Sequence, residues 1–118
     1  MTTLLVGGAG LAGVLARYGI TRLTLHSEAL IWSTVGINIV GSFLLGMLAA
    51  EHWFSRDLRE ALGVGFLGGF TTFSTFSAES VALLMRGDIG WAFGHAALHL
   101  FGSLALTAIG IATYRALA

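Results

Sequence analysis

Four apolar stretches, each close to the length that crosses a bilayer, follow one another along this chain with very little between them. They run from about Thr3 to Leu25, Leu30 to Ala50, Ala61 to Met85 and Ile89 to Tyr114, against a need for about 20 mostly apolar residues per span. The joins are "HSE" (26–28), "EHWFSRDLRE" (51–60) and "RGD" (86–88). In lipid a span has to satisfy its own backbone, so these stretches are helices, and joins so short make consecutive helices antiparallel neighbours. The sequence therefore predicts an all-α polytopic membrane protein: a single four-span domain over residues 1–118 with both termini on one side.

Charge narrows the class. Only 10% of residues are charged and the mean hydropathy is +0.86, which excludes an ordinary soluble domain. The six basic residues are all arginine, scattered along a chain of zero net charge, so neither a nucleic-acid footprint nor an anionic-lipid patch is visible. With no cysteine there is no disulfide and no thiolate metal site. The N-terminus lacks a basic n-region and a small-x-small cleavage site, so it is expected to stay as the first span.

Arg56, Arg59 and Arg115 fall on one side of the membrane and Arg17, Arg22 and Arg86 on the other. The positive-inside rule then prefers neither orientation, the balance expected of a chain that inserts both ways and pairs as an antiparallel dual-topology homodimer. Placing Arg17 inside the bundle would leave a slight bias instead.

Polar groups within spans face the bundle interior or a wet cavity, because a charge or amide in lipid costs a few kcal/mol. Asn38 lies four residues before Ser42 on one face, with Gly36, Gly41 and Gly46 around them. Its amide can bond a neighbouring helix or offer an N–H to an anion. His95, His99, Ser103 and Thr107 form a polar track at steps of four along the fourth span. The histidine pair has metal-ligand spacing, but no Asp, Glu or Cys in the neighbouring sequence completes a set, which argues against a metal there. Arg17 and Glu79 are the charges deepest within apolar runs; Arg17 could draw anions into a vestibule, and Glu79 could cap a helix or pair.

Seventeen glycines without a proline suit close helix packing, as in the Ala61, Gly65, Gly69 repeat and in Gly90 and Gly94. The stretch "GFLGGFTTFSTFS" (65–77) asks for more. Gly68 and Gly69 followed by Thr71 and Thr72 weaken a helix through backbone entropy and competing hydroxyls, so the third span should break near its centre. Broken spans use the freed carbonyls to hold ions, and carbonyls suit a hard cation such as sodium. Phe73 and Phe76 share a face after the break. Their rings can pack on a neighbouring helix, or turn positive edges toward a small anion in place of water. Ser74 and Thr75 between them could serve an ion or the backbone.

These residues resemble the Fluc (CrcB-type) fluoride channels. "GFLGGFTTFSTFS" is similar to the family signature, supported by "AGLAGVLARY" (9–18) and "GINIVGSFLLG" (36–46), in the right order across all four spans. The resemblance implies an antiparallel homodimer in the bacterial inner membrane, with two fluoride pores and a central structural sodium ion, exporting toxic cytoplasmic fluoride passively. By motif position it implies that Asn38, Phe73 and Phe76 line the pore, that Ser103 and Thr107 belong to its hydroxyl track, and that Arg17 sits near the vestibule. It implies that the backbone carbonyls of Gly68 and Thr71 hold the sodium. His99 departs from the family, which often carries tyrosine there.

Two other classes share the gross plan. Small multidrug-resistance exporters have this length and topology but rely on an acidic residue in the first span, and residues 3–25 contain none. A non-transporting membrane subunit would use its polar residues only to join helices.

Overall fold

The computed structural model describes residues 1–25 and 29–118, so the first join, "HSE", lies outside the described residues. Helix α1 spans Thr2–Thr24 and α2 spans Ala29–Ala50. The third pass opens with α3, Arg56–Glu60, continues without interruption as a π-helical segment, Ala61–Leu67, and ends in the short α4, Gly68–Phe70. Two extended residues follow, and α5 resumes at Phe73–Met85; α6, Ile89–Leu117, makes the fourth pass. No strand occurs among the described residues.

Three helices, Thr2–Thr24, Leu30–Ala50 and Ile89–Leu117, are each long and apolar enough to cross a membrane. The third pass is divided into two halves. At about 1.5 Å per residue, the 13-residue α5 covers roughly 20 Å of a hydrocarbon core about 30 Å thick, so neither half would suffice alone. The longest dimension of the chain, 48 Å, matches a bilayer with its headgroups. Both termini lie at the end holding the second join: Thr2 Oγ1 donates to Asp57 Oδ1, and the Tyr114 ring meets His52 edge-on at 6.3 Å. At the opposite end Trp32 of α2 and Trp91 of α6 approach to 5.7 Å.

The third helix begins earlier than the hydropathy limit at Ala61, because the polar "RDLRE" is itself helical. Ser55 caps it, its Oγ accepting from Leu58 N–H at 3.3 Å, with Asp57 in the first turn where a negative charge favours the dipole. Buried Glu51 ties the join together, accepting from the backbone N–H groups of Trp53 and, at 2.8 Å, Phe54. At the far end α5 stops in a Schellman turn: Asp88 N–H donates to Leu83 O and Gly87 N–H to Leu84 O, both at 3.0 Å. Gly87 has φ of +83°, which a side chain would strain.

Glycine seams set the packing. α1 lies along residues 61–70, and α2 along α6. A Cβ added at Gly65 would fall 2.6 Å from Val6 O, and one at Gly69 2.5 Å from Gly10 O, so the expected four-residue repeat is a backbone contact with α1. Gly46 and Gly110 play the same part between α2 and α6, meeting Thr107 O and Phe43 O. Gly90 and Gly94 do not: Gly90 has nothing within 4 Å, and Gly94 meets only the ring of Trp91 on its own helix.

Candidate functional site

The break falls one turn after the glycines. Gly68–Phe70 stay helical, while Thr71 (ψ 158°) and Thr72 (φ −149°, ψ 121°) are extended. Gly69 lets the half-helix press on α1; the threonines end it, Thr71 Oγ1 donating to Leu67 O at 2.9 Å. Thr72 Oγ1 then caps α5, accepting from Thr75 N–H at 3.2 Å and bonding the hydroxyls of Thr75 at 3.1 Å and Ser74 at 3.3 Å. The hydroxyls at 74 and 75 thus serve the start of α5.

A break in lipid frees backbone groups that need partners. Asn38 of α2 supplies two of them, its Oδ1 accepting from Thr72 N–H at 2.8 Å and its Nδ2 donating to Thr72 O at 2.9 Å. In an unbroken helix Thr72 N–H would donate to Gly68 O; turned to Asn38, it leaves that carbonyl without its helical donor. Arg17 Nε reaches from α1 to Gly69 O at 3.1 Å, so this arginine is partly buried at the depth of the break rather than free at the membrane edge. It also lines a cavity of about 190 Å³ with Thr34, Thr72 and Thr75.

A second cavity, of about 350 Å³, opens on the other side of the break. Asn38, Gly68, Thr71, Phe73, Phe76 and Ser103 all border it, from three separate passes. Sequence spacing could assign each of these to a face of its own helix; only the tertiary fold gathers them. Phe73 is 79% exposed and Gly68 is exposed, so this wall faces outward from the chain. The two rings meet edge to face, with centroids 5.1 Å apart and an interplanar angle of 73°.

The polar track of α6 divides. Thr107 Oγ1 is committed to backbone, donating to Ser42 O at 3.2 Å and Ser103 O at 2.9 Å. His99 is buried, accepts from Asn38 Nδ2 at 3.1 Å and lies 4.6 Å from the Phe76 ring. Fully buried His95 turns to α5, its Nδ1 3.0 Å from Ser80 Oγ and its Nε2 3.2 Å from Glu79 Oε2. Thr34 Oγ1 donates to Glu79 Oε1 at 2.6 Å. The expectation that no carboxylate accompanies the histidines is therefore corrected: Glu79, far from them in sequence, has an oxygen within 4.8 Å of a ring nitrogen of each. Glu79 and its partner Thr34 were the contributors that spacing could not join, since they lie on different passes.

Comparison with known proteins follows the same outline. The family described as CrcB-like protein, Camphor Resistance (CrcB), matches residues 4–111. A protein of Bordetella petrii named fluoride-specific ion channel FluC is 49% identical over 115 residues, covering 93% of this chain and 88% of its own. Proteins of the same name from Cupriavidus taiwanensis and Pseudomonas putida are 43% and 40% identical, covering 96% and 94% of this chain and 94% and 91% of theirs.

Proposed function

We propose, from the premise that this chain belongs to the CrcB-like family, that it is a channel, not an enzyme, and that it passes fluoride across the bacterial inner membrane, relieving cytoplasmic fluoride toxicity. The observation that carries this is the convergence of Asn38, Phe73, Phe76 and Ser103 on one cavity at a broken span. An amide donor, a hydroxyl and two ring edges replace water around a small anion, and none is a full positive charge that would trap it. Arg17, which lines the neighbouring cavity while donating to Gly69 O, raises the local potential for anions on the way in. Thr107 supports the track by holding α6 to α2.

The pore is completed in an antiparallel homodimer with two paths. The outward-facing Gly68 and Phe73 and the near-balanced arginines support that assembly. Sodium fits the residues at the break: Thr71 is extended and the Gly68 carbonyl lacks its helical donor, so each chain offers two carbonyls and two chains together offer a set for a hard cation. The ion would supply charge to fasten the two breaks together.

Purified protein in liposomes should release fluoride while retaining chloride, and Phe76→Ala should cut that flux with assembly intact. No fluoride release, or equal chloride release, would defeat the channel reading. If Gly68 and Thr71 hold sodium, exchange of sodium for a large organic cation should lower the melting temperature of the dimer, because a ligand bound only to the assembled state stabilises it. An unchanged melting temperature at sodium concentrations brought to trace levels counts against the site.

A further inference from the structure

We infer that Glu79, His95 and His99 form a binding site for a divalent transition metal, Zn²⁺ being the best match, in the wall of the proposed path. Glu79 Oε2, His95 Nε2 and His99 Nε2 are buried atoms without a hydrogen-bond partner, contributed by two adjoining passes. A carboxylate oxygen and two imidazole nitrogens are the donor types zinc selects, and three protein ligands leave one tetrahedral position for water or an anion.

The surrounding hydrogen bonds orient these donors. Ser80 Oγ lies 2.9 Å from Phe76 O and 3.0 Å from His95 Nδ1; with its proton given to Phe76 O it accepts from His95 Nδ1–H, the tautomer that leaves Nε2 free to bind a metal. In that tautomer His95 presents Nε2 to Glu79 Oε2 at 3.2 Å. Two acceptors facing one another need a cation between them. A proton would serve that pair, but a metal also draws on His99. Ring nitrogens held by a second partner, as Ser80 holds His95, and a ligating carboxylate bonded at its other oxygen, as Thr34 holds Glu79, are the supports metal ligands have.

His99 has to adjust. Asn38 Oδ1 is fixed by Thr72 N–H, so Asn38 Nδ2 donates to His99 Nδ1 and the His99 proton sits on Nε2. Coordination through Nε2 moves that proton to Nδ1, which can no longer accept from Asn38 Nδ2, so the Asn38–His99 bond is given up and the His99 ring turns away from the amide, while Asn38 keeps both of its bonds to Thr72. One ring nitrogen of each histidine and a Glu79 oxygen lie within 4.8 Å of one another, and the ligand atoms must close to about 3.3 Å, the spacing that bonds of about 2.0–2.1 Å impose at tetrahedral zinc. His99 borders the 350 Å³ cavity, which gives the ion a way in.

The test uses the purified full chain and zinc against a chromophoric chelator. One zinc per chain is expected, with binding lost in Glu79→Gln and in His95→Gln, each checked for monodispersity. Ser80→Ala, which removes the support of His95 and the Ser80 bond to Phe76 O but leaves all three ligands in place, should weaken affinity by about 10- to 100-fold and guards against a misfolded ligand variant. The functional arm rests on the channel reading: zinc should block fluoride efflux and a chelator restore it, since a divalent charge beside the path traps the anion. Binding is read independently of flux, so a protein that passes no fluoride still tests the site. No bound zinc, as when a proton alone bridges Glu79 and His95, or binding indifferent to Glu79→Gln, His95→Gln and Ser80→Ala, overturns the inference.

Discussion

Asn38→Leu should abolish fluoride flux and destabilise the protein together, while Ser42→Ala, one turn along the same face, should leave stability unchanged. Leucine strips the break of both bonds that Asn38 makes to Thr72, leaving an N–H and a carbonyl without partners inside the membrane. Each unmet group costs about 1–3 kcal/mol, so roughly 2–6 kcal/mol is at stake, enough to shift a folding or assembly equilibrium by about 30-fold to 10⁴-fold. If Thr72 N–H instead closes the helical turn on Gly68 O, part of that cost is recovered, but the third pass straightens and the carbonyl proposed for sodium is withdrawn. Ser42 contributes its backbone carbonyl to Thr107, which alanine retains. Thermal unfolding of the purified variants and liposome efflux measure the two effects. Wild-type flux and stability in Asn38→Leu would show that the break holds itself.

The second large effect is steric and changes sign with position. Gly13→Ala should destabilise the fold by several kcal/mol, whereas Gly19→Ala on the same helix should be neutral or mildly stabilising. A Cβ at Gly13 would run into Phe66 O and come within 2.9 Å of Phe70 N, and neither backbone group can give way without lifting α1 from the third pass. Overpacking of this kind costs about 1–3 kcal/mol or more. At Gly19 nothing lies within 4 Å, so the variant expresses only the higher helix propensity of alanine, about 1 kcal/mol. Since lipid tails give helices no hydrophobic reason to associate, close backbone contact carries much of the packing here. Equal melting temperatures for the two variants would refute the seam.

The third pass shows where sequence reasoning reached its limit. The coincidence of Gly68, Gly69, Thr71 and Thr72 was enough to place a break, because each residue weakens a helix by a local mechanism. Its position one turn later was not legible, since Gly68–Phe70 stay helical where Gly69 packs on α1, a contact between distant parts of the chain. The π-helical turns at Ala61–Leu67 have no composition of their own and were missed. Arg17 could be counted as a charge, but its bond to Gly69 O depends on the α1 seam.

Apolar length and join length alone determined that this chain is a bundle of membrane helices, because a backbone in lipid has few ways to satisfy itself. The residue types of the site, an amide, two phenylalanines and the hydroxyls, were equally open to reading along each span. The tertiary structure decided who meets whom: Asn38 with Thr72, Thr34 with Glu79, and Glu79 with the histidine pair. These pairings join residues far apart in sequence, and helical periodicity fixes only the face on which a residue lies. Which faces meet is set by where glycine lets two backbones touch, and that is a property of the packed bundle.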